Sequence, residues 1–197
     1  MIESNVTLSA ESLDLLKSIK GKTLVNIRTL NGGDRNRTYG GCFVLDFDDG
    51  SSVVLYDDYV AINYYHDEYF GNRWEATALF CRSLDDATAK RKLYDQTIKP
   101  LRIDEIEVVT DEVKMNAPNE GDLIVAVDAA IVLRSGSRFM TFSLDEEHYD
   151  TMWLIRSENK SVDELRPIEK IEFAWADDAM RKEDGITIKV TRSSRNF

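Results

Sequence analysis

Apolar and polar residues alternate through much of the chain, and the period of that alternation predicts its elements. In CFVLDF (residues 42–47), Phe43, Leu45 and Phe47 alternate with Val44 and Asp46, the period of two that sends successive side chains to opposite faces of a strand. Asp49-Gly50 follows, a dipeptide suited to the φ > 0 positions of a primed hairpin turn, and the return strand runs from Ser52 to Tyr56. A two-residue loop places Phe43, Leu45 and Phe47 on one face with Val54 and Tyr56, and Val44, Asp46, Val53 and Leu55 on the other. Val60, Ile62 and Tyr64 then alternate in a third strand to about Tyr65.

Upstream, LSAESLDLLKSIK (residues 8–20) changes to helical spacing. Leu13, Leu16 and Ile19 share a stripe, Ser9 suits the N-cap and Gly21 the stop. TLVNIRTL (residues 23–30) reads as a strand, and NGGDRNRTYGG (residues 31–41) as a polar, glycine-rich loop without the GxxxxGK[ST] or GxGxxG spacing of a phosphate cradle. WEATALFCR (residues 74–82) is too short for its period to separate strand from helix. Ser83-Leu84-Asp85-Asp86 resembles a capping box and predicts a helix to about Lys99, ended by Pro100.

The pattern restarts in the second half. RIDEIEVVTDEV predicts a strand, NAPNEGD (residues 116–122) a loop, and LIVAVDAAIVLRSGSRFMTFSL a longer hairpin turning at Ser135-Gly136-Ser137. Ala129, Ile131 and Leu133 then face the same side as Met140, Phe142 and Leu144. Aligning Gly50 with Gly136 gives a loose strand–turn–strand echo, which two hairpins built by the same rules also produce. Residues 146–156 fit helix or strand. Ser161-Val162-Asp163-Glu164 is a capping box for one turn closed by Pro167. IEKIEFAWA (residues 168–176) alternates as a strand, ITIKVT after Gly185 reads as the closing strand, and the tail RSSRNF as frayed. In all, about seven to nine strands and two to four helices are expected, an α+β class, strand-rich and mainly antiparallel. We expect one compact domain over residues 1–197, with residues 1–99 and 100–197 as sub-lobes.

Composition narrows the functional classes. The net charge of −11 disfavours direct nucleic-acid binding, and no apolar run reaches the length of a membrane helix. Residues 1–99 carry 15 acids and 12 bases (net −3), and residues 100–197 carry 21 acids and 13 bases (net −8), so the acidity is concentrated late. The N-terminus lacks the basic start and apolar core of a signal peptide, and a cytoplasmic location is expected. Cys42 and Cys81 sit among apolar residues without CxxC spacing and read as reduced, buried thiols.

Candidate chemistry is sparse. His66 and His148 lie among acids, but neither has HExxH spacing, and neighbouring strand residues face opposite ways. Asp46-Phe47-Asp48-Asp49-Gly50 has the acids of a calcium loop, with glycine at the fifth position instead of the sixth. No nucleophile elbow, kinase or dinucleotide fingerprint is present, so no catalytic residue, metal or cofactor is assigned. The densest acidic and aromatic stretch supplies the candidate binding residues: Tyr56, Asp57, Asp58, Tyr65, Asp67, Glu68, Tyr69 and Trp74. Tyrosine and tryptophan bring contact area with a polar handle, and the acids would complement a basic protein partner. The leading expectation is therefore a non-catalytic acidic protein-binding module of the inhibitor or immunity type. Its alternatives are a carboxylate/His metal-assisted hydrolase and a structural subunit of a homo-oligomer.

Overall fold

The structure, a computed structural model, describes residues 1–30, 36–39, 41–62, 74–118, 121–148, 151–175 and 185–197. In chain order the first elements are β1 (Ile2–Val6), α1 (Ala10–Ser18), β2 (Thr23–Thr29), β3 (Arg37–Tyr39), β4 (Cys42–Phe47), β5 (Ser52–Ile62) and β6 (Trp74–Ser83). There follow α2 (Asp86–Ala89), β7 (Tyr94–Gln96), β8 (Leu101–Arg102), β9 (Glu105–Ala117), β10 (Gly121–Ser135), β11 (Arg138–His148) and β12 (Thr151–Glu158). The chain continues through α3 (Val162–Leu165), α4 (Ile168–Trp175) and β13 (Thr187–Asn196). The class is α+β, strand-rich and mainly antiparallel.

The strands form two sheets. The larger, seven-stranded sheet has the order β13-β9-β10-β11-β12-β3, with β1 parallel to the first half of β10. The six-stranded sheet runs β6-β5-β4-β2-β7, and β8 also pairs with β2. One buried apolar cluster draws on both sheets, and the Phe43 and Phe142 rings meet edge-on between them, centroids 5.6 Å apart. α1, capped by Ser9, seals one flank: Leu16 and Ile19 are buried, and the Ser12 hydroxyl donates to the Cys81 carbonyl at 2.8 Å.

The first hairpin forms where its pattern predicts it, with a different turn. The Phe47 N–H donates to the Ser51 carbonyl and the Gly50 N–H to the Phe47 carbonyl, both at 3.0 Å, so the loop holds three residues, Asp48-Asp49-Gly50. Phe43 therefore opposes Leu55 and Leu45 opposes Val53. The extra loop residue reverses the expected parity: Phe43, Leu45, Val53 and Leu55 enter the main core, while Val44, Val54 and Tyr56 form a separate cluster. Gly50 sits at φ +82° with open space around a notional Cβ, so a side chain there meets a conformational cost alone. Gly50→Ala is expected to cost about 1–2 kcal/mol in urea unfolding, with an unchanged denaturant slope. The second hairpin keeps a two-residue loop at Gly136-Ser137, and Leu133 opposes Met140 and Ile131 opposes Phe142, as its spacing predicts.

Elsewhere packing overrides local pattern. IEKIEFAWA is not a strand: most of it forms α4, because Ile168, Ile171 and Trp175 fall on one helical face and the last two are buried. The expected helix to Lys99 is one turn, α2, capped by Asp85; residues 90–99 lack an apolar stripe and supply β7 instead. Residues 74–82 and 151–156 are strand, and Arg37–Tyr39 forms a short strand within the expected loop. The loop expected at residues 116–122 is shorter, with β9 reaching Ala117 and β10 starting at Gly121. The tail is not frayed. β13 pairs through Asn196 opposite Glu107, and Phe197 and Ile106 exchange both backbone hydrogen bonds. Thirteen strands, counted among the described residues, exceed the expected number because short edge strands carry almost no periodic signal.

Candidate functional site

The expected binding stretch divides between described and undescribed residues. Tyr56, Asp57 and Asp58 lie on β5, and Trp74 begins β6 opposite Ile62. Tyr65, Asp67, Glu68, Tyr69 and His66 lie outside the described residues. Tyr56 is half-buried and stacks on Phe80, centroids 5.6 Å apart with planes 27° from parallel. The Arg82 guanidinium lies 5.4 Å from its centroid, so the ring is anchored from within the protein.

The two acids beyond it differ. Asp58 and Tyr59 are exposed, and the Asp58 carboxylate accepts from the Tyr59 N–H at 2.9 Å. Asp57, opposite Leu79, has a buried Oδ1 with no hydrogen-bond donor. Burial pushes its pKa up to about 6, its own backbone hydrogen bond opposes this, and the Asp58 charge adds to it. An acceptor buried with no donor among the described residues is uncommon and costly, so Asp57 marks the middle of β5 as incompletely satisfied.

The other acids singled out by spacing are engaged within the fold. Asp46 accepts both Arg28 Nε at 2.8 Å and Nη2 at 2.7 Å, and also the Ser52 hydroxyl at 2.7 Å. Asp48 accepts the Thr23 N–H at 3.0 Å, and Asp49 pairs with Lys22 at 2.8 Å. The calcium-loop acids thus brace the hairpin tip. Both cysteines are buried free thiols. Burial pushes Cys81 up to about 11, and its Sγ lies 3.2 Å from the Ser12 carbonyl oxygen. A thiol so protonated makes a poor nucleophile at neutral pH. His148 ends β11 opposite Thr151. No group of three or more His, Cys, Asp or Glu side chains among the described residues is placed to hold a metal ion. No helix among them is long and apolar enough to cross a membrane.

Three carboxylates that periodicity did not single out are buried in the larger sheet. Asp111 accepts Arg192 Nε at 2.7 Å and Nη2 at 3.0 Å, and Arg166 Nε at 3.0 Å; Arg192 Nη1 reaches on to Asp163 at 2.6 Å. Asp128, where the β9–β10 register shifts, accepts the Leu8 N–H at 2.7 Å, the Thr110 hydroxyl at 2.6 Å and Arg195 Nη2. Asp145 pairs with Lys170 of α4. Each is an acid inside a strand of buried residues, a signal readable in VVTDEV and VAVDAA, because a charge on a buried strand must find partners. The partners themselves come from distant elements that spacing does not connect.

Comparison with protein-family models, with curated proteins and with solved structures finds no match to this chain.

Proposed function

We propose that the protein is a non-catalytic binding module that presents the Asp57–Tyr59 segment of β5 to a basic protein partner, as an inhibitor or immunity-type protein would. The observation that carries this reading is the buried Asp57 oxygen without a donor, beside the exposed Asp58 and Tyr59. A Lys or Arg side chain docking there supplies the missing donor, and Tyr59, two residues on and so on the same face of β5, adds contact area. The net charge of −11 favours approach of a basic partner and adds a salt-sensitive component to its on-rate.

The test is a titration of labelled Lys/Arg-rich peptides and small basic proteins by fluorescence anisotropy, at low and high salt. Binding that weakens with salt, and falls at least tenfold in the Asp57→Asn, Asp58→Asn double variant, is the expected result. Equal binding by the double variant with its fold intact excludes this face as the site.

A further inference from the structure

A second site lies away from β5. Between α3 and the strands β9, β10, β11 and β13 runs a groove of about 280 Å³. Its floor is apolar: Val109, Val132 and Val162 form a cluster separate from the main core, with Phe139 packed against it. At one end Arg134 pairs with Glu107 at 2.6 Å and lies 4.9 Å from the Phe139 ring centroid. At the other, Arg192 pairs with Asp163 at 2.6 Å.

The charged side chains that line the groove are matched: Arg134 balances Glu107, and Arg192 balances Asp163. A ligand of either net sign therefore meets as much repulsion as attraction. Hydrogen-bonding capacity nevertheless remains. Arg192 spends its Nε, Nη1 and Nη2 on Asp111 and Asp163, whereas Arg134 uses only Nη2, and Glu107 only one oxygen. Asp163 is largely exposed, and Ser194, opposite Val109 in the β13–β9 register, adds a hydroxyl. Donors and acceptors thus stand side by side above an apolar floor.

An uncharged molecule whose polar groups each donate and accept at once matches such a wall, and hydroxyl groups have that property. We propose that the groove binds a single-ring polyol, such as a monosaccharide, with vicinal hydroxyls bridging Arg134 and Glu107 and its C–H face on Val109 and Val132. The volume lies just under the roughly 300–1,000 Å³ of pockets that enclose larger ligands, which suits one ring.

The test is saturation-transfer and methyl-shift NMR with glucose, galactose, mannose, N-acetylglucosamine and inositol, set against acetate, inorganic phosphate and ethylammonium. At least one of the polyols is expected to saturate and to shift the Val109 and Val132 methyls. Ser194→Tyr, which fills the groove without touching an ion pair, is expected to weaken that binding at least tenfold with an unchanged melting temperature. Glu107→Gln removes an acceptor and unbalances the wall, so it is expected to weaken polyol binding at least fivefold and to admit acetate. Charged probes binding in preference to every polyol, polyol binding unaffected by both variants, or no binding of any probe each overturn the proposal.

Discussion

Asp111→Asn is expected to destabilise the protein by about 3–5 kcal/mol in urea unfolding, the largest effect of any single polar substitution considered. Asp111 is fully buried, Arg166 is 1% exposed, and Arg192 12%. Asparagine keeps the shape but removes the charge that both guanidinium groups share in a low-dielectric setting. Breaking such a cluster costs more than the cluster contributes, because each ion has already given up its water. Replacing Asp111, Arg166 and Arg192 together with Leu and Met residues is accordingly expected to recover most of the loss, which separates an uncompensated charge from lost packing. Acid should act on the same cluster. Burial alone would raise the Asp111 pKa, but the hydrogen bonds and charges of Arg192 and Arg166 outweigh it and hold the carboxyl below its ordinary value. Its contribution is present in full above about pH 4 and is lost as the pH falls through the lower folded-state value. In Asp111→Asn the acid limb of the stability–pH curve should be correspondingly flatter.

Asp57 behaves in the opposite sense. Its pKa of about 6 exceeds that of the unfolded chain, so folding favours the protonated form and stability falls as the pH rises from about 4 to above 6. The full difference corresponds to about 3 kcal/mol, which partial exposure to water reduces to about 1–2 kcal/mol. Asp57→Asn should therefore raise the melting temperature at pH 8 by several degrees and leave it nearly unchanged at pH 4. A gain of equal size at both pH values would point to packing and not to titration. Together with the binding titration, this variant separates the cost of Asp57 to the free protein from the role proposed for it toward a basic partner. Such an exchange of stability for function is common where a site is completed only by its partner.

Much of the architecture was legible, because most strands bury one face and their period survives in the residues. The limits were of three physical kinds. At Asp48-Asp49-Gly50 the strands were readable but the loop length was not, and one loop residue was enough to exchange which face of β5 joins the core face of β4. In IEKIEFAWA the same positions satisfy both periods; the buried pair Ile171 and Trp175 decides for a helix only once β11 and β13 are there to receive it. The tail RSSRNF looked polar enough to fray, yet Arg192 and Arg195 are drawn in by Asp111 and Asp128, acids that lie 81 and 67 residues earlier. Of the candidate binding residues, the spacing ended one strand at Tyr56 and began another near Val60, whereas Tyr56, Asp57 and Asp58 lie within the single continuous β5. It did not reveal that Asp57 is the strained member, since desolvation depends on neighbours across the sheet.

The wiring of the larger sheet also bears on time. Its two hairpins, β9–β10 and β10–β11, join neighbours in the chain and can assemble early, whereas β1 must find Leu123–Val127 of β10 across more than half of the chain. By the same measure β13, whose β9 partners run from Asn116 opposite Thr187 to Glu107 opposite Asn196, is expected to dock after the hairpins. During that interval Asp111 has only Arg166 for a counter-ion, and Asp128 lacks Arg195. Docking of β13 is thus expected to be a late step, completed as Arg192 and Arg195 reach the two waiting carboxylates.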